Sequence, residues 1–299
     1  MLYAHESKDK VRRRKGKMRS VRGKKFERID KKILFYIGIL LLIILISVMA
    51  PILAPYNPNQ IDMTNKLAIP TSHHWLGTDQ LGRDLLSRVL YGGRLSILVA
   101  VTATCISMLI GLLVGLMAGY FGGWVDTIVT LCSNILQGLP GMTMMIALIG
   151  IMGPGSHSLI LALVLTSWVS FSRFVRGEVM KVKEENYIEA LKCFGASSFF
   201  IMAKGILPNI CGNCFILFTT RIGRVVLSVS GLSFLGIGIQ PPTPDWGSMI
   251  NEARRYFRGS PHLLLAPGLC IILFALTINL LGDALRDKYD VKHEGVKEW

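Results

Sequence analysis

Charge is scarce in this chain: Asp, Glu, Lys and Arg make up 17% of its 299 residues, against roughly 25% in soluble domains. No G-x-x-x-x-G-K-[ST] run occurs, so a phosphate loop is missing and the chain should not hydrolyse ATP itself. Neither G-x-S-x-G nor H-E-x-x-H is found, which removes the commonest serine-nucleophile and zinc-hydrolase signatures of an intramembrane enzyme. Repeated halves, a filter sequence and a broken midplane helix are not visible either, and a channel or secondary transporter would usually show one of them. A secondary transporter or channel not coupled to an ATPase nevertheless stays as one alternative.

Apolar residues supply 51% of the sequence, and they come in long blocks. A bilayer core needs about 20 apolar residues per helix. Ile33–Ala54, Leu95–Gly119, Leu131–Met152, Ile206–Leu235 and Leu263–Leu281 meet that length. Leu159–Val175 is shorter, carries Arg173 near its end and is the weakest of six spans. Ile33–Ala54 and the basic segment before it are both longer than a signal peptide's parts, so the run reads as a retained anchor.

The formal net charge of +14 would suit a nucleic-acid partner, but 14 of the 33 Lys and Arg lie in residues 1–32, from Lys8 to Lys32. A basic tail beside a membrane helix sets orientation and touches anionic lipid. No aromatic or folded reader element accompanies it, so no nucleic-acid partner is expected. With the N-terminus in the cytoplasm, the inside segments carry 24 Lys and Arg and the outside segments 7. That asymmetry supports a cytoplasmic N-terminus and C-terminus. The outside loops are 55–94 and 236–262, the second opening with Gly236 and Gly238 and continuing as Pro241-Pro242-Thr243-Pro244, a stiff extended run.

Six cysteines are present, five in predicted spans and Cys193 in a predicted cytoplasmic loop. Cys211 and Cys214 form a C-x-x-C, which can mean zinc or redox chemistry. With no second Cys or His pair nearby, small helix-packing residues are the plainer reading. Four histidines, His73, His74, His157 and His262, fall outside. Imidazole suits nickel, yet adjacent histidines rarely ligate one metal together, and no metal site is expected.

The inside segment Arg173–Asn209 is long and charged. Helix formers run from Glu184 to Phe194, Gly195 then interrupts and allows close backbone approach, and Pro208 suits the first turn of a new helix. A short helix, a turn and the next span follow in order. Such a protruding helix can fit a groove on a partner and push on the span behind it.

Glu189-Ala190-Leu191, then Gly195 and Ala196, then Ile206-Leu207-Pro208 resembles the "EAA" coupling loop of bacterial ABC importer permeases. Leu191 stands where that family usually has a second alanine, and Gly205 where an apolar residue is common. Four further blocks resemble the dipeptide/oligopeptide/nickel subfamily, the type with an extra N-terminal anchor: His74–Asp84, Leu232–Gly247, Pro267–Leu269 and Asn279–Asp287. The resemblance runs from about residue 33 to 291. It implies an all-α polytopic protein with six transmembrane helices and the type I ABC importer permease fold. The implied organisation is a basic cytoplasmic tail (1–32), an anchor helix and external loop (33–94), a permease transmembrane domain (95–291) and a cytoplasmic tail (292–299). The implied partners are a homologous second permease, two cytoplasmic ATPase subunits that use the ATP, an external substrate-binding protein and membrane lipid. The coupling loop would dock on the ATPase. No cofactor is bound by the chain. Peptides, nickel and nickel chelates are the implied cargoes, and Met249–Arg254 and Leu227–Gly231 look slightly more like the nickel-type members.

Two features stay open at this stage. The Leu76–Asp84 run (L-G-T-D-Q-L-G-R-D) either folds its own loop through turn and cap groups or contacts the binding protein. Arg221 and Arg224, three apart and so on one helix face, either line the translocation path or pair with an acidic partner or interface.

Overall fold

The computed structural model describes residues 31–294. Most of the basic tail and the last five residues lie outside the described residues, and with them the readings made there. The described chain is helical, with no strand beyond an isolated bridge between Thr78 and Asp84. The expected all-α polytopic architecture holds.

Helix α1 spans Lys31–Val48 and continues after a break as a single turn, Ala50–Leu53. Helix α2, Leu85–Phe121, has 37 residues, about 55 Å at 1.5 Å per residue, longer than a bilayer core of about 30 Å. Its first ten residues were not read as part of a span, because Arg88, Gly92, Gly93 and Arg94 dilute the hydropathy there. They are helical because Asp84 caps them: its carboxylate accepts from the Ser87 backbone N–H at 2.8 Å. A boundary at 94/95 falls inside this helix.

The third span is the main departure from expectation. The apolar run read as one helix is two, α3 (Gly123–Gln137) and α4 (Gly141–Met152), bent by 85°. Gly138-Leu139-Pro140 forms the break. Pro140 has no N–H and disfavours helix for the residue before it, and a hydropathy window does not register either effect. A broken helix is therefore present that the sequence reading missed.

Helix α5 covers Ser156–Lys183. The segment read as the weakest span packs more extensively on α2 than any other pair of helices among the described residues. Gly111, Gly115 and Gly119 on α2 explain this. A Cβ at any of them would stand within 3 Å of Phe171, Val175 or Val179 on α5, so the stripe lets the two backbones approach closely. Helix α6 is Asn186–Cys193. The next span begins at Ser198, passes through a π-helical segment at Ile201–Ile206 and continues as α7, Leu207–Phe234. Helix α8 is Trp246–Ala253 and α9 is His262–Glu294.

The interior divides into three clusters. The largest joins α2, α5, α7 and α9 around Leu163, Val226 and Phe274. A second gathers at one end, where α5, α6 and the start of α7 meet. The third lies at the opposite end, where Leu85 and Val89 of α2 meet Met249, Ala253 and Leu263. The end with the segment that resembles a coupling loop is the coupling end, and the opposite one, under the 55–84 loop, is the cap end.

Candidate functional site

At the coupling end, α6 is held by one buried side chain. Ile188 is 0% exposed and sits in the cluster with Val175, Val179, Ile201, Ile206 and Ile210. Tyr187 beside it adds a polar tie. Its hydroxyl donates to the Gly205 carbonyl at 3.1 Å and accepts from the Asn209 side chain at 3.0 Å, which also donates to Gly205 at 2.6 Å. Burial, with Glu185 adding to it, holds the Tyr187 phenol above its ordinary value, so it is a neutral donor at neutral pH. The Gly205 carbonyl thus collects two side-chain donors where the π segment passes into α7. Sequence reasoning missed Tyr187, Ile188 and Asn209; the only hint was their flanking of the charged helix and of Pro208.

The helix ends as a glycine-closed turn. Phe194 N–H bonds to Ala190, Gly195 N–H to Lys192 and Ala196 N–H to Leu191. Gly195 has φ +77°, a left-handed conformation in which glycine carries no Cβ penalty. Nothing within the chain lies within 4 Å of where its Cβ would stand. Its need for glycine is therefore conformational within this chain rather than one of crowding.

Glu189 and Ala190 are exposed, Leu191 and Ala196 half-buried on the second cluster, Leu207 half-buried and Pro208 exposed in the first turn of α7. The structure thus brings Glu189, Ala190, Leu191, Gly195, Ala196, Leu207 and Pro208 into one hairpin. Phe194 and Phe199, 89% and 77% exposed, stand out from its tip. Lys183 donates to the Tyr120 carbonyl at 2.6 Å, and Arg176 pairs with Asp126 across to α3, so this end is tied to the broken span as well.

The arginines lie elsewhere, in the middle of α7. Arg221 is half-buried with its guanidinium 5.9 Å from the centre of the Phe171 ring, and its Nε is buried without a hydrogen-bond partner. Arg224 is exposed. Neither meets a carboxylate among the described residues.

At the cap end, the Leu76–Asp84 run builds its own loop. Asp79 accepts from the backbone N–H groups of Leu81 and Arg83 and bonds the Arg83 guanidinium at 2.5 Å. Arg83 also reaches Glu252 at 2.7 Å, and Arg88 lies 3.4 Å from both Asp79 and Glu252. His74 meets Asp84 at 2.9 Å and stacks on Tyr56. Asp245 caps α8 and accepts from the Ser96 hydroxyl at 2.5 Å; burial pushes its carboxyl upward against these hydrogen bonds. These groups staple the loop and α8 onto α2. Glu252 and Met249, read as hints of cargo, are used in that packing. Cys211 is exposed and Cys214 is buried in the coupling-end cluster.

The chain is similar to known proteins over most of its length. The family model described as "Binding-protein-dependent transport system inner membrane component" matches residues 111–292. The glutathione transport system permease protein GsiD of Escherichia coli O6:K15:H31 is 41% identical over 256 residues, covering 85% of this chain and 84% of the relative. Its counterpart from Shigella flexneri serotype 5b is 43% identical over the same length and shares. A chain of the MetNI methionine ABC transporter, solved in inward-facing conformations, superposes with a TM-score of 0.50 at 19% identity, covering 68% of this chain and 95% of that one. That likeness gives the type I ABC importer permease fold.

Proposed function

Because the chain belongs to the family of binding-protein-dependent transport system inner membrane components, we propose that the α6 hairpin is where an ATPase subunit drives it, and that its cargo is a small peptide. The chain is a multi-pass inner-membrane permease subunit of an ATP-driven ABC importer. It has no ATPase site of its own; the ATP is used by a partner ATPase, alongside a further permease subunit and a substrate-binding protein. The finer assembly we propose is one similar permease, two ATPase copies and the binding protein on the outer side. The coupling end and both termini then face the cytoplasm, and the cap end faces out. The 33–94 segment is the anchor and external loop, joined to the 95–291 transmembrane domain through α2.

The observation that carries the coupling assignment is the two-faced character of α6. Its inner face is fixed to α5 and α7 by Ile188 and Tyr187, while its outer face and the Phe194 and Phe199 side chains are exposed. A partner that moves the outer face must move the start of α7 as well. Nucleotide-driven closure would so bias a two-state equilibrium between outward- and inward-facing cavities. The peptide reading rests on the relatives named for glutathione transport, and Arg221 and Arg224 are proposed to line the path.

Gly195 tests the coupling. Gly195→Leu should insert normally but lose cargo uptake and binding-protein-stimulated ATPase activity, because a left-handed conformation costs a branched side chain about 1–2 kcal/mol. Gly195→Asn, which tolerates that conformation, should retain most of both. Normal transport by the Leu variant would remove α6 as the coupling element.

A further inference from the structure

Several basic side chains near the ends of the long helices meet acids, and others are held by neutral acceptors: Lys183 by the Tyr120 carbonyl and Arg173 by the Asn134 side chain. Arg88 has Asp79 and Glu252, Arg176 has Asp126, and Lys181 has Glu178 at 2.6 Å. Arg221 and Arg224 have neither an acid nor a neutral acceptor among the described residues. They sit in the middle of a candidate span, Arg221 about 20 Å from the Phe234 end by helical rise. A bare charge at that depth is stable only facing water or the protein interior.

Arg224 lies on the face turned from the core, and Arg221 at the edge of that face, over Phe171 of α5. Ile222, Gly223 and Val226 are buried, and Gly223 packs on Ile278 and Asn279 of α9. Arg224, the half-buried Ser228 and Gly231 follow one another at helical spacing on the other side. A Cβ at Gly231 would lie 3.5 Å from Met142, in the first turn of α4. The broken span therefore borders this face, and α4 starts at Pro140 with no side-chain cap on its free N–H groups. A helix start carries partial positive charge, so it supplies no counter-charge to the arginines either.

We propose that Arg221 and Arg224 form a fixed positive station in the transport path that selects cargo bearing a free carboxylate, the carboxylate being the counter-ion they lack among the described residues. This deepens the peptide-importer reading and rests on it. Arg224, exposed, would meet the carboxylate first. Arg221, held over Phe171 with an unpartnered Nε, keeps the local potential positive, and its planar fork can receive a carboxylate through two parallel hydrogen bonds.

The test uses the assembled importer in nanodiscs, with the native cysteines replaced and Ser228→Cys as reporter. Labelling rates are compared for an anionic (sulfonatoethyl) and a cationic (trimethylammonioethyl) methanethiosulfonate, each relative to a free thiol. The proposal expects the anionic reagent to be favoured by about tenfold. Arg221→Gln or Arg224→Gln should each cut that preference severalfold. S-methylglutathione should protect the thiol, and its diethyl ester should not. No labelling would place the face in lipid and overturn the proposal. So would an unchanged ratio in both variants, equal protection by acid and ester, or variants that assemble only when an acidic residue of the other permease is also neutralised. Binding-protein-stimulated ATPase activity of the parent complex, read in the same preparation, tests the importer reading separately. Stimulation without charge preference sinks only the station, whereas absence of stimulation sinks the coupling.

Discussion

At the residue scale, small groups hold both ends of the molecule. Ile188 is the single fully buried side chain of α6. Ile188→Ala removes buried methyl groups at a cost of about 2–5 kcal/mol. It should loosen the hairpin from α7, so that uptake per ATP hydrolysed falls further than complex yield; transport and hydrolysis assayed together check this. At the other end, Asp245 satisfies two backbone donors at the start of α8 and the buried Ser96 hydroxyl. Asp245→Ala should cost about 1–2 kcal/mol for the cap and more for the orphaned donors. It should lower the melting temperature of the purified complex, whereas Asp245→Asn, which keeps an acceptor, should lower it less.

At the scale of elements, two features decide how the helices sit. The glycine stripe on α2 sets the distance to α5. Gly115→Leu would drive a side chain into Ser172 and Val175. It should abolish accumulation of folded permease in the membrane, while the same change at Gly268, where nothing lies within 4 Å, should be tolerated; fluorescence size-exclusion of tagged variants separates them. The acid–base cluster that joins the cap loop to α8 is the second feature. Glu252→Gln leaves Arg83 and Arg88, both nearly buried, short of a carboxylate. Removing one partner of a buried pair costs about 3–5 kcal/mol. Protease cleavage of the 55–84 loop from the outer side should become faster in that variant, with α6 coupling intact.

At the scale of the whole molecule, the α6 hairpin and the cap loop lie at opposite ends, and the proposed orientation puts them on opposite faces of the membrane. Single cysteines at Ser198 and at Thr243 check this. In intact cells an impermeant maleimide should label Thr243→Cys and leave Ser198→Cys untouched until the membrane is opened. The reverse pattern would invert the orientation. The broken third span does not make the chain a self-contained transporter, because the family it belongs to uses a separate ATPase. It turns α4 by 85° from α3 and sets its first turn beside Gly231 of α7.

What the sequence determined by itself follows from signals that are local or additive. Apolar block length places the spans, charge asymmetry proposes their orientation, and the Glu189–Gly195 and Leu207-Pro208 spacing marks the hairpin, because helix, turn and cap chemistry act within a few residues. Only the tertiary structure decided the rest. Arg88 and Glu252 lie 164 residues apart, and no periodicity relates them. Gly111, Gly115 and Gly119 look like weak helix positions until α5 is laid against them. The 85° bend comes at Gly138-Leu139-Pro140, where the backbone effects of Pro140 do not register in a hydropathy window. Arg221 and Arg224 were visible as charges in an apolar run, but whether a carboxylate stands beside them is a property of the packed chain, since a counter-ion can come from any helix that folding brings near.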